Sequence, residues 1–134
     1  MISALIPTRR VAAMDVAWLR REVFAGGEVS REAAEELFAV ARSTIVKAPE
    51  WTAFFVEMIT DHTVWQARPT GVVNEGQAEW LIAQADAGPN IDGMAALVNI
   101  LAEAHRTPAW FLAAVRSRAA RGWPGLDAGL AAAL

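Results

Sequence analysis

Apolar and polar positions recur along this chain with a helical period and almost nowhere with the period of two that marks a strand. Val11, Met14, Trp18, Leu19 and Val23 form the first stripe. They predict a helix over 8–24, capped by Thr8 and stopped by Gly26–Gly27. Ala34, Leu37, Phe38, Ala41 and Ile45 predict a second helix over 30–46, with Ser30 as N-cap and Glu32 in the first turn, where the helix dipole favours an acid. Pro49 opens a third over 49–66, whose broad face carries Trp51, Phe54, Phe55, Met58, Ile59, His62 and Trp65. It is the most aromatic stretch and is expected at the centre of the fold. Ala78, Leu81, Ile82 and Ala85 mark a fourth helix over 74–86, with Asn74 and Gln77 spaced as a capping box. Met94, Leu97, Val98 and Leu101 mark a fifth over 92–106. Phe111, Leu112, Val115 and Ala119 mark a sixth over 108–121, behind Thr107–Pro108. After a turn at 122–125, residues 126–134 form either a short seventh helix or a frayed end. No strand pattern is found. The expectation is an all-α single domain over 1–134, of about six to seven helices.

Two stretches repeat. Residues 27–41 and 71–85 align at an offset of 44 with seven identities in fifteen positions: Gly27/Gly71, Val29/Val73, Ala34/Ala78, Glu35/Glu79, Leu37/Leu81, Ala39/Ala83 and Ala41/Ala85. Downstream, 55–62 is similar to 97–104. Each unit reads as loop, helix, turn and helix, which predicts pseudo-twofold repeats over about 22–66 and 67–106, followed by the helix over 108–121 and a short tail. The glycine of each unit is expected at positive φ, and the valine two residues later at the entry of the helix.

The Gly-x-Val-Ser layout is also the second half of a calcium-binding EF-hand loop. Setting Gly27 and Gly71 as the loop glycine puts Glu22, Phe24 and Gly26, and Gln66, Arg68 and Thr70, at the first ligand positions. The closing position falls on Ala33 and Gln77. Calcium requires six or more hard oxygens, so a degenerate EF-hand-like geometry without the ion is expected.

The phrase Gly26-Gly27-Glu28-Val29-Ser30, with Glu32 after it, resembles the helix entry of TerB-like tellurite-resistance domains. That resemblance implies an all-helical fold of paired repeats, an acidic metal site and a role in stress. Where those domains carry an acid before the glycine, this chain has Gly26 and Thr70. The run from Pro49 to Glu57, continued by 78–82, also resembles a small bacterial all-helical family that implies no activity.

Composition removes many function classes. The 134 residues are 54% hydrophobic and 20% charged, with 29 alanines. That balance calls for a packed, helix-rich core rather than disorder. No cysteine is present, so disulfides, thiol nucleophiles and cysteine-held metals are excluded. No run of apolar residues is long enough to span a bilayer. The apolar start at 1–7 is too short for a signal peptide and precedes its basic pair, so the cytoplasm is expected. The net charge of −3 argues against nucleic acid. That charge is unevenly spread: residues 22–103 hold thirteen acids and four bases, and the ends hold eight bases and two acids. Either the ends fold back on the acidic middle, or they offer a weak patch to an anionic partner.

Candidate chemistry is sparse. His62 and His105, the two histidines, sit at similar places in the two units, beside Asp61 and near Glu103. These four are the candidate metal ligands; the competing reading places His62 as a hydrogen-bonded core or boundary residue. Carboxylate-bridged di-iron bundles use Glu-x-x-His pairs, which this chain lacks. Glu57 with Asp61, and Glu35 with Glu79, are acid pairs that read first as solvated or Arg-paired carboxylates. Six tryptophans are many for this length, and Trp80 and Trp123 are the candidates for an exposed partner surface. No phosphate loop, catalytic triad or dinucleotide fingerprint is present. The reading favoured is a non-catalytic interaction or regulatory domain with a protein partner or self-association, linked to stress by resemblance. The alternative is a metal- or small-ligand-binding helical protein using the His62/His105 region. No cofactor is expected.

Overall fold

The computed structural model describes residues 2–7, 10–43 and 45–121, and all structural statements below concern those residues. Six α-helices are present: α1 (Ala13–Trp18), α2 (Arg31–Arg42), α3 (Pro49–Thr60), α4 (Glu75–Asp86), α5 (Ile91–Glu103) and α6 (Ala109–Ala120). Three begin at polar caps that accept a backbone N–H three residues on. Ser30 Oγ accepts from Ala33, Asn74 Oδ1 from Gln77 and Asn90 Oδ1 from Gly93, at 2.8–3.1 Å. The reciprocal half of the capping box expected at Asn74 does not form. The Gln77 Oε1 is instead buried without a hydrogen-bond partner among the described residues. The last helix starts at Ala109 with Pro108 as its cap residue, so Thr107 does not cap it.

Two helices end in wide π turns: α1 runs on through Leu19–Val23, and α3 through Asp61–Trp65. A π turn takes more residues per turn than an α-helix, so positions beyond it rotate off the expected face. The first stripe shows a related shift. Val11 lies in a strand rather than a helix, and the helix after it buries Val16 and Leu19. Met14 is 81% exposed and Trp18 38% exposed, against the expectation that both face inward. Leu112 is likewise turned outward. The expected Thr8 cap, Trp123, the 122–125 turn and the 126–134 tail lie outside the described residues.

One small sheet departs from the all-helical expectation. β1 (Arg10–Val11) and β2 (Val46–Lys47) pair in parallel, with Arg10 opposite Val46 and Val11 opposite Lys47. Two-residue strands are too short to display an alternating pattern, which is why no periodicity betrays them. Lys47, the sole lysine, donates from Nζ to Ser43 O at 2.9 Å and so closes the end of α2. Burial lowers its pKa, opposed by the nearby Asp92 carboxylate.

The core centres on α3, which packs most extensively on α5. Trp51, Phe54, Phe55 and Ile59 are fully buried, as are Met94, Leu97 and Ile100 of α5. Aromatic contacts continue sideways: Phe38 meets Phe55 edge-on at 5.1 Å and Trp80 edge-on at 5.7 Å. Each such ring removes well over ~100 Å² of apolar surface from water, so this cluster dominates the burial that holds the fold. The basic ends do fold back on the acidic middle. Arg20 pairs with Glu57 at 2.7 Å, and Arg118 pairs with Asp86 through two bonds of 2.7 Å. No described helix is long and apolar enough to cross a membrane.

Candidate functional site

The two stretches that align in sequence build two similar joints. Gly27 and Gly71 both take positive φ, 79° and 82°, a region that costs a side-chain-bearing residue. Val29 and Val73, two residues on, are both buried, and Ser30 and Asn74 then cap α2 and α4. Each joint thus presents a short extended segment running into a helix.

The group that pairs with that segment differs. At the second joint it is backbone. Val73 N–H donates to Arg106 O at 2.9 Å, and His105 and Arg106 N–H donate to Gly71 O at 2.8 and 3.2 Å. Val72 and Arg106 stand as a parallel bridge. At the first joint it is a side chain. Gln66 Oε1 accepts from Val29 N–H at 2.8 Å, and Gln66 Nε2 donates to Gly27 O. One amide side chain, with one acceptor and one donor edge, fills the hydrogen-bonding place that a peptide group fills in the other joint.

A cleft of about 700 Å³ opens at the first joint. One wall is the segment Gly26 to Ser30. The other runs from the π turn at the end of α3 to Arg68 and carries His62, Trp65, Gln66 and Arg68, with Gln77 of α4 at the side. His62 is half-buried. Its Nδ1 donates to Val29 O at 2.7 Å, so Nδ1 carries a proton. Trp65 is 38% exposed yet held on two sides. Its Nε1–H donates to Glu103 at 2.8 Å, and its ring meets His105 edge-on at 5.9 Å. Glu103 is itself held by Asn99 Nδ2 at 2.9 Å, and Asn99 also donates to Thr60 Oγ1. Asp61 carries a raised pKa, first through desolvation and then through the nearby Glu57 and Glu103 carboxylates.

The four candidate metal residues are therefore divided. His62 serves Val29 and packs edge-on to Trp80 at 5.4 Å, while His105 stands over Gly71 and against Trp65. Glu103 is taken by Trp65 and Asn99. No three His, Asp or Glu side chains among the described residues come together as a metal-holding group, so Asp61, His62, Glu103 and His105 do not form one centre. Of the acid pairs, Glu57 is matched by Arg20, and Glu35 accepts from Gln84 at 3.3 Å.

Trp80 is not a surface residue. It is 7% exposed, packed on Phe38 and His62 with the Arg31 guanidinium 5.4 Å from its ring centre. The offset of 44 sets it opposite Glu36, but its ring turns inward onto Phe38 of α2. The described tryptophans with large exposure are Trp18, Trp65 and Trp110. Sequence reasoning missed Trp65, Gln66 and Arg68 as a group. Trp65 follows the apolar period of α3, and only the π turn carries it out to solvent.

No protein-family model, curated protein or solved structure matches this chain.

Proposed function

We propose that this protein is a non-catalytic binding domain that engages a protein partner through the cleft between residues 26–30 and 62–68. The observation that carries this reading is Trp65: an aromatic ring left partly in solvent, yet fixed by Glu103 and His105 at the edge of a cleft. A prefixed tryptophan loses little side-chain entropy on binding and offers a large contact area, the usual properties of an interface anchor. Glu28 and Arg68 set opposite charges along the same cleft, which suits a polypeptide better than a uniformly charged ligand. The acidic net charge supports a protein rather than a nucleic acid as partner, and the cysteine-free composition supports the cytoplasm as its setting. The like construction of the two joints supports descent of residues 22–66 and 67–106 from one duplicated unit.

The test is site-specific photo-crosslinking in cells that make the protein. A photoreactive residue at Ala67, in the cleft, is expected to trap a discrete partner, and Trp65→Ala is expected to abolish that adduct while the variant stays folded at the assay temperature. The same probe at Ala113, exposed on α6, is expected to trap none. Equal adducts at both places, or an adduct indifferent to Trp65→Ala, overturns the reading.

A further inference from the structure

The two joints differ in one respect that indicates how a polypeptide would seat in the cleft. At the second joint a stretch of backbone, residues 105–106, lies along Gly71–Val73. At the first joint the same two groups, Gly27 O and Val29 N–H, are occupied by the Gln66 side-chain amide. Gln66 is exposed, so this amide can swing into water, whereas a backbone segment inside the fold cannot leave. A second difference agrees with the first. A Cβ built on Gly71 would collide with the His105 ring, but a Cβ built on Gly27 meets no described atom within 4 Å. The place filled by the His105 side chain at one joint is therefore left open by the described residues at the other.

Resting on the cleft reading above, we propose that an extended segment of a partner protein adds as a short parallel strand along Gly27–Val29, displacing the Gln66 amide. One residue of the segment accepts from Val29 N–H through its C=O and donates its own N–H to Gly27 O, as Arg106 does with Val73 and Gly71. The residue before it also donates its N–H to Gly27 O and lays its side chain over Gly27, as His105 does at Gly71. A flat ring, imidazole or aromatic, suits that place. Strand addition of this kind draws affinity from main-chain hydrogen bonds and selectivity from the side-chain places between them. The Gln66 amide acts as an internal competitor: it keeps the part-buried Val29 N–H and the exposed Gly27 O satisfied in the free protein, and it is given up on binding.

The probe is the chain's own segment 103–108, Glu-Ala-His-Arg-Thr-Pro, as a synthetic peptide blocked at both ends. In an amide NMR titration of the whole protein, the Gly27, Glu28, Val29 and Ser30 signals and the Gln66 side-chain NH₂ are expected to shift together. Methylating the peptide nitrogens of its histidine and arginine, which removes both donors to Gly27 O, is expected to abolish the shifts. Gln66→Ala is expected to bind the peptide about fivefold more tightly, since no competitor has to leave. Should Gln66→Ala unfold, the methylated peptide on the unaltered protein decides alone. Absence of shifts at 27–30 at millimolar peptide, or equal binding of the methylated peptide, overturns strand addition. Shifts confined to Trp65 and Arg68 overturn it too, while leaving the cleft reading in place. Failure of the Ala67 crosslink removes the cleft reading itself.

Discussion

Gln66 Oε1 accepts the backbone N–H of Val29 at 2.8 Å across 37 residues of sequence. This one contact ties the end of α3 to the entry of α2, and it joins the two walls of the cleft. The same glutamine donates to Gly27 O, so the first joint depends on a side chain where the second depends on residues 105–106. A joint closed by a side chain can be opened by a rotamer change, whereas a joint closed by backbone opens only if the segment unfolds. That contrast places the adjustable edge of the molecule beside Trp65 and Arg68.

Gln66→Ala removes both bonds and is expected to cost about 1–2 kcal/mol in urea denaturation, the usual size for two net hydrogen bonds at a partly buried edge. Gln66→Glu separates donor from acceptor. A carboxylate still accepts from Val29 N–H but faces Gly27 O without a proton to give. The variant is expected to be weaker than the parent at pH 7 and to recover part of the loss below about pH 4, where the carboxyl regains an O–H. An alanine variant as stable as the parent would remove the glutamine from its structural role.

Gly27 and Gly71 share a positive φ but not a neighbourhood. Alanine at either position meets the left-handed strain of about 1–2 kcal/mol. At Gly71 it also strikes His105, which is backed by Trp65. Gly71→Ala is therefore expected to lower the midpoint of thermal unfolding more than Gly27→Ala. Gly71→Ala is also expected to change Trp65 emission, because His105 has to shift. Equal effects on both readouts would show that His105 yields without disturbing the tryptophan.

Much of the helical layout is legible in the sequence because burial there follows period 3.6. Ala34, Leu37, Phe38 and Ala41 form one stripe of α2 by spacing, and all four are buried. Trp51, Phe54, Phe55, Met58 and Ile59 form the face of α3 by spacing and are buried likewise. The pattern misleads where local chemistry breaks the period. The wide turns at Leu19–Val23 and Asp61–Trp65 insert extra residues, and no residue type announces them. The site is less legible than the fold. A polar residue such as Gln66 at a helix end looks like any solvated side chain, and its partners Gly27 and Val29 are 39 and 37 residues away. The acidic residues near the histidines draw attention by type, yet Glu103 bonds to Trp65 and Asn99, and Glu57 pairs with Arg20.

Asp61 stands half-buried beside α3's own Glu57 and near Glu103, and its pKa is raised by desolvation and by those two carboxylates. A carboxyl whose folded pKa exceeds its unfolded one holds its proton better in the native state. Stability is then highest at low pH and falls as pH rises from about 3.9, the unfolded value, through the higher folded value. Asp61→Asn is expected to remove this cost and raise stability at pH 7 by about 0.5 kcal/mol, discounted for solvent screening, with no gain at pH 3. Denaturation curves of both proteins at the two pH values check it. A variant less stable at pH 7 would mean that the carboxylate makes a contact worth more than the repulsion.

Arg118 of α6 grips Asp86 at the end of α4 through Nε and Nη2, both at 2.7 Å, and a third bond runs from Nη1 to Ala114 O at 2.9 Å. The fork of the guanidinium matches both carboxylate oxygens, which is the geometry in which an ion pair holds best. The hydrogen bond to Arg118 is the first cause of the lowered Asp86 pKa, ahead of its charge. Here the sign is opposite to that of Asp61. The pair contributes fully above the unfolded carboxyl value of about 3.9 and is lost as pH falls through the lower folded value. Asp86 remains 43% exposed on its side chain, so solvent screens the pair, and its contribution is expected to be about 1 kcal/mol. Asp86→Asn and Arg118→Ala should each lower stability at pH 7, and the parent's advantage over Asp86→Asn should shrink as pH falls below about 3.9. Arg118→Lys keeps the charge but not the fork and is expected to recover less than half of the loss. Full recovery by lysine would show that charge alone, rather than the paired N–H geometry, docks the last helix on α4.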